Sequence, residues 1–356
     1  MWIGLINGVV IVYTFKNTEI TNKKSSEYET KSMLYLMGMH PNSGKVEIVI
    51  VDCFNDVTGV DDNFTLMLDV QSKNYATFSP SLIGQSLYTL FDNYVSKFNF
   101  HDYVLFSKPL NPNYLHDSNL RSFDYGNIKK NTQERIEKKL REVIIKNHKS
   151  IDETQFIQFL DEVTFFNDDY PCSHYIKKLS SFKSKSTISD LTYGNIFDEI
   201  RDKQSALKNS EIENETISTP KEVLRLERYI TKLQINSLII SRIIGVTDIF
   251  KCNGIPVDFM IVINEEGLTK DRDLLKDTIQ ECNSNLSRTL FDKGTSKKFW
   301  QLSEAIIKIV RESKSECVYE LYDELLLKVK KMPPHMNKIS TQYLISLVLQ
   351  GMDNDL

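Results

Sequence analysis

The sequence predicts an α/β core, a mixed sheet flanked by helices, followed by a mainly α-helical C-terminal part. Three observations carry that expectation. Residues 45–73, KVEIVIVDCFNDVTGVDDNFTLMLDVQSK, hold two β-rich stretches, 46–51 and 64–73, around the turn Asp61-Asp62-Asn63. A helix opening at Ser79-Pro80 is followed by another β-rich run, 103–107, so the order is helix, two or three antiparallel strands, helix, strand. From about Asn127 onward apolar residues recur mainly at helical spacing.

The elements follow in order. The opening MWIGLINGVVIVYTF lacks a basic leader and is short of the ~20 residues that span a bilayer. It reads as a buried strand or hairpin turning at Asn7-Gly8, and no membrane segment is expected. Residues 25–39 read as a short helix capped by Ser25 or Ser26, with Glu29 completing a capping box after Ser26 and Met33, Leu34, Leu36 and Met37 supplying an apolar face. In the strand 64–73, Leu66 and Leu68 share one face; Met67, Asp69, Gln71 and Lys73 share the other. Proline at the first helical position starts the helix at Pro80. Asn131 caps a charged helix, and Ser150 and Glu153 box the start of the next, with Phe156, Phe159, Leu160 and Val163 inward. Residues 205–218 are a loop or hinge. Thr219-Pro220-Lys221-Glu222 starts a helix running to Ile244 with Gly245 at its end. Further helices are expected over 271–290, 297–312, 317–330 and 340–349; residues 257–263 read equally as strand or helix. The domain division is 1–125 and 126–356.

The chain has 356 residues, enough for two ordinary domains. Its 44 basic and 48 acidic residues leave a net charge of −4, so any contact with nucleic acid must use a local patch. Five scattered cysteines, never Cys-x-x-Cys, fit free thiols in a reducing cytoplasm. Cys172 and His174 lack the second close pair that a zinc site needs.

The chemistry concentrates in 45–73. A carboxylate from one strand, with side-chain and main-chain oxygens from its neighbour, suits Mg²⁺, which takes oxygen ligands and keeps several waters; Mn²⁺ is the other candidate. Asp56, Gln71 and the main chain of Ser72 supply such a set, and Lys73, two residues beyond Gln71 on the same face, can orient the attacking water or offset phosphate charge. The plain alternative is an amphipathic hairpin with a polar solvent face.

The run VDCFNDVTG…LDVQSK, then a helix, then DYVLFSK, resembles the PD-(D/E)XK restriction-endonuclease-like nucleases. More closely, it resembles the Gln-x-Lys variant found in Mrr-like enzymes and in nuclease effectors of bacterial anti-phage systems. Among those it is most similar to the nuclease subunit of Lamassu defence systems, whose nuclease domain is related to CBASS effectors. The resemblance is specific over about 25–107. It implies that Asp56 binds metal, that Gln71 stands where Glu or Asp is usual, and that Lys73 is the motif lysine. A helix glutamate often completes the set, for which Glu27 or Glu29 is the candidate; Asp69 and Asp52 are rival carboxylates. The implied function is a cytoplasmic, Mg²⁺-dependent endodeoxyribonuclease acting on double-stranded DNA in anti-phage defence. It would be restrained by an SMC-like ATPase with an accessory subunit, and active as a homo-oligomer after release. The alternative is a non-catalytic adaptor on the same fold that binds DNA or a protein partner; an RNase is the third reading.

Other motifs carry less. GMHPNSGK at 38–45 has the wrong glycine spacing for a P-loop and Val46 where Ser or Thr should bind Mg²⁺. The histidines have no nucleophile at recognisable spacing. The basic run from Lys129 to Lys149 is diluted by Glu134, Glu137 and Glu142 and reads as a solvated helix face. Lys177, Lys178, Lys183 and Lys185 form a less diluted cluster, a candidate for phosphate contact. The apolar helix 340–349 is either core or a surface for assembly.

Overall fold

A computed structural model describes residues 12–15, 23–148, 150–184, 186–251, 254–313 and 315–353. The chain forms two compact units, Met1–Tyr175 with Asp198–Lys232, and Ile176–Phe197 with Leu233–Leu356. The boundary expected at 125 falls inside the first of them.

The first unit is built on a mixed seven-stranded sheet. In chain order its elements are β1 (Tyr13–Thr14), α1 (Lys23–Gly38), β2 (Ile48–Val51), β3 (Val57–Val60), β4 (Met67–Lys73), α2 (Pro80–Tyr94) and β5 (Asp102–Ser107). Then come β6 (Ser122–Asp124), α3 (Lys130–His148), α4 (Glu153–Glu162) and β7 (Val163–Asn167). The helices α5 (Cys172–Ser180) and α6 (Asp190–Leu207) follow, each divided between the units at Tyr175 and at Asp198, and β8 (Thr216–Ile217) and β9 (Tyr229–Thr231) complete the first unit. The spatial order is β6-β7-β5-β4-β3-β2-β9, while β1 and β8 form a separate two-stranded ribbon. β2, β3 and β4 are an antiparallel meander, with Val51 opposite Val57 and Val57 opposite Val70. β5 and β7 continue in parallel, with Gln71 opposite Leu105 and Leu105 opposite Phe165. Strands β5 and β7 read as near-continuous apolar runs because both sheet faces are covered.

Helix α1 lies on one face, where Tyr28 and Tyr35 meet Phe106 at ring separations of 6.0 and 5.6 Å. On the other face Ile83, Leu87, Leu90 and Phe91 of α2 join Val60, Met67 and Leu105 in one buried cluster. Ser79 caps α2, accepting from the Leu82 N–H at 3.3 Å, with Pro80 first in the helix. Gly84 lets α3 approach closely, since a Cβ there would overlap the Ile136 carbonyl oxygen. Phe156 and Phe159 of α4 are fully buried, each contributing about 1.5–3 kcal/mol.

Four local expectations change. Helix α1 begins at Lys23, so Ser26 lies inside it, its carbonyl accepting from Thr30 Oγ1 at 2.8 Å, and Glu29 pairs with Lys208 instead of closing a capping box. Helix α3 begins at Lys130, which places Asn131 inside the helix and not at its cap. Asp152, not Ser150, caps α4, accepting from Thr154 and Gln155 N–H groups at 2.9 and 3.1 Å. Its inward Val163 opens β7 instead of ending the helix. The helix expected from Thr219 to Ile244 is three elements. The Thr219–Glu222 capping box opens a short 3-10 turn, Pro220–Leu226, and Glu227 then takes a left-handed conformation (φ 55°). Arg228 turns inward, and β9 pairs with β2 before the next helix begins. The N-terminal hairpin turn at Asn7-Gly8 lies outside the described residues; Tyr13 and Thr14 are the part of that run seen as strand.

The second unit is helical: α7 (Lys232–Ile244), α8 (Val257–Glu265), α9 (Arg272–Phe291), α10 (Ser296–Glu312), α11 (Val318–Lys328) and α12 (Lys338–Asp353). Residues 257–263 are thus helix. Side chains of α12 from Ser340 to Leu349 are all buried, so this helix is the unit's core and not an exposed assembly surface. Gly351 lets α12 pass the end of α7, for a Cβ there would overlap the Ile244 carbonyl oxygen. Among the described residues no helix is long and apolar enough to cross a membrane.

Candidate functional site

Asp56 lies one residue before β3, and the β3–β4 register, extended by one, sets it opposite Gln71. A single oxygen of Asp56, Oδ2, accepts three hydrogen bonds at 2.7 Å, from Gln71 Nε2, the Ser72 N–H and Ser72 Oγ. Gln71 is 3% exposed, and its own Oε1 accepts from Thr89 Oγ1 of α2 at 2.5 Å. The pairing of β3 with β4 therefore brings together Asp56, Gln71 and Ser72, as the sequence anticipates. Lys73 follows at the end of β4, half-buried, with no hydrogen bond or ion pair among the described residues.

Asp69 lies two residues back on the same face, wholly buried. Its carboxylate takes Asn55 Nδ2 (2.5 Å), Asn93 Nδ2 (2.8 Å) and Thr58 Oγ1 (3.2 Å), and burial still lifts its carboxyl to about 7 against those donors. It is a structural group beneath the site and has no open oxygen to offer a ligand. Asp52 holds a left-handed backbone (φ 52°) and pairs with Arg228 Nη1 at 3.1 Å. Burial raises its carboxyl to about 6, opposed by Lys208 and Arg228. Arg228, 1% exposed, also donates to the Asp52, Lys208 and Ser210 carbonyls.

The two helix glutamates separate. Glu29 is buried and bound to Lys208 Nζ at 2.5 Å. Glu27 is half-open and paired with Lys31 at 3.3 Å. It borders a cleft of about 550 Å³, beyond the carboxyl ends of β4, β5 and β7, shared with Asn74, Lys108 and Asp168. Lys31 and the fully buried Asp168 pair at 3.1 Å within its wall. Asp56 is not part of that wall.

Thr89 and Asn93 escape a reading of α2 that counts only apolar positions. The signal was present: Ser86, Thr89 and Asn93 recur at helical spacing on a helix that must face the polar side of β4.

The donor set fits a hard divalent cation in part. Asp56 Oδ1 is not among the carboxylate's hydrogen-bonded oxygens, and Ser72's carbonyl leaves the strand on the same side as the N–H that meets Asp56. Gln71 presents its NH₂ to Asp56, so its oxygen becomes a ligand only if the amide rotates by 180°. Thr89 tolerates that rotation because a hydroxyl both donates and accepts. Among the described residues no three His, Cys, Asp or Glu side chains come together as a metal cluster. His174 stacks on Tyr170 at 3.9 Å, and Cys172 has no second thiol beside it among the described residues.

Compared with models of known protein families, with curated proteins and with solved structures, the chain gives no match. The mixed sheet flanked by helices, the helical second part and the Asp56–Gln71–Ser72 cluster therefore have to speak for themselves.

Proposed function

We propose that the chain is a metal-dependent DNA endonuclease on a restriction-endonuclease-like core. One observation carries the reading. The order α1, antiparallel β2-β3-β4, α2, parallel β5 sets Asp56 at the start of the middle strand beside Gln71 and Ser72, and leaves Lys73 unpaired at the end of the next. That is the arrangement the PD-(D/E)XK resemblance implies. A bound Mg²⁺ or Mn²⁺ would supply Lewis acidity and an activated water. Asp56 and the Ser72 main chain would hold it, and Lys73 would offset charge developing on the phosphate.

In the same reading the activity belongs to anti-phage defence. An SMC-like ATPase with its accessory subunit restrains the enzyme, which acts on double-stranded DNA as a homo-oligomer once released. The helical unit serves regulation and assembly.

A plasmid-nicking assay with MgCl₂ or MnCl₂ tests the proposal. Wild type should cut, while Asp56→Ala and Lys73→Ala should not. Lys73→Ala should also nearly keep the wild-type melting temperature, because no hydrogen bond or ion pair among the described residues is lost. If concentrated wild-type protein never cuts DNA, or Lys73→Ala cuts as well as wild type, the enzyme reading fails. Cleavage of RNA alone would move the activity to a ribonuclease.

A specific observation favours the non-catalytic adaptor as second reading. Three protein donors already satisfy one oxygen of Asp56, and Gln71 turns its nitrogen toward it. Under that reading DNA or a partner binds equally well with and without divalent metal, and nothing is cut.

A further inference from the structure

The second unit contains a cavity of about 500 Å³ walled by six lysines: Lys183, Lys298, Lys308, Lys328, Lys330 and Lys331. Among the described residues only two carboxylates, Glu304 and Glu312, share that wall, leaving there a surplus of four positive charges in a chain whose net charge is −4.

The acidic groups there are committed. Glu304, 4% exposed, accepts from the main-chain N–H groups of Lys183 (2.9 Å) and Ser184 (2.8 Å), from Thr187 Oγ1 (3.3 Å) and from Lys308 Nζ (3.0 Å). It thereby ties the loop carrying Lys183 to α10. Lys328 pairs with Glu324 at 2.9 Å and with Glu312 at 3.6 Å. Lys183, Lys298, Lys330 and Lys331 are exposed and make no side-chain hydrogen bond or ion pair among the described residues. Four uncompensated ammonium groups from three chain segments thus surround one concavity, where low-dielectric walls focus their field.

We propose that this cavity binds a small polyphosphorylated molecule. Lysines act on phosphate as point charges with three donors each, and several phosphates on one ligand match several lysines. The volume is that of a small-ligand pocket, in the range of roughly 300–1,000 Å³. Leu302, Ala305, Val329 and Pro333 also line it, and among the described residues the lining holds no aromatic ring on which a base would stack, so the phosphates are the group recognised. Of the lysine cluster 177–185 visible in the sequence, Lys183 lines this site, while Lys177 pairs with Asp190. The inference is independent of what Asp56 does.

Calorimetric titration of the full chain with tripolyphosphate and with ATP tests it, at low and at high NaCl. Both probes should bind saturably, about equally, and more weakly in high salt. The double variant Lys330→Glu/Lys331→Glu, at exposed positions, should bind at least about tenfold more weakly with an unchanged melting temperature. Glu304→Gln, which keeps every lysine but loosens the Lys183 loop, should also weaken binding. Failure of both probes to bind, or wild-type affinity in the double variant, overturns the proposal. So does displacement of ATP by a short DNA duplex at equal phosphate concentration, which would assign the lysines to nucleic acid.

Discussion

Replacing Gln71 by Glu puts a second carboxylate where an amide now donates to Asp56 at 2.7 Å. The change removes a hydrogen bond worth about 1 kcal/mol and sets two negative charges about 4 Å apart. At an effective dielectric constant near 20 that repulsion is about 4 kcal/mol, reduced to about 2 kcal/mol because Asp56 is half-buried and screened. The first unit of Gln71→Glu should therefore lose about 3 kcal/mol in EDTA at pH 8, a fall of roughly 6–12 °C for a unit of this size. Acidification, which places a proton between the carboxylates, should recover most of the loss. A divalent cation should do the same, contributing about 2.7 kcal/mol at one hundred times its dissociation constant. Thermal unfolding in EDTA, in MgCl₂ and at pH 5 measures all three effects. The reasoning is refuted if Gln71→Glu melts like wild type in EDTA, or if Mg²⁺ stabilises it no more than wild type. Either result would mean that residue 71 and Asp56 do not share a cation-binding point.

Two further outcomes test the buried framework. The Asp69 carboxyl titrates near 7 in the folded state against an ordinary 3.8, so the folded protein holds the extra proton between those values. Its stabilising contribution is therefore complete below about pH 4, falls as pH rises, and is lost above about 7, roughly 4 kcal/mol in all. Asp52 adds a smaller effect of the same sign. Denaturant unfolding from pH 4 to 8 should show a shallower decline in Asp69→Asn than in wild type; identical slopes would exclude Asp69 as the titrating group. Gly351→Ala should lower the transition of the helical unit by about 3 kcal/mol through overlap with the Ile244 carbonyl, leaving the first unit unmoved. Unchanged melting would show that α7 and α12 do not meet there.

The strand meander and its flanking helices were legible because apolar runs of strand length alternate with capped helical patterns. β7 was not, since Val163 continues the inward spacing of Phe156, Phe159 and Leu160 and so looks like the end of α4. β9 was hidden in the same way. RLERYITKLQINS has no proline or glycine, and the break comes from Glu227 turning left-handed and Arg228 reaching Asp52, a contact 176 residues distant in sequence. Within the site, residue spacing was enough to set Asp56 beside Gln71 and Ser72, with Lys73 next along the strand. It could not say which end of the Gln71 amide faces Asp56, because both ends belong to one side chain. Nor could it separate Glu27 from Glu29, whose fates depend on Lys31 and Lys208.

The sheet of the first unit is not finished until Thr231 has been made, for β9 covers the outer edge of β2 and β7 covers that of β5. A nascent chain that stops at residue 125 leaves both edges with bare N–H and C=O groups, an invitation to pair with other chains. During synthesis β2, the strand beside that of Asp56, thus waits for a partner more than 150 residues downstream, after an excursion into the helical unit, so that closing this edge of the sheet is tied to translation of most of the polypeptide.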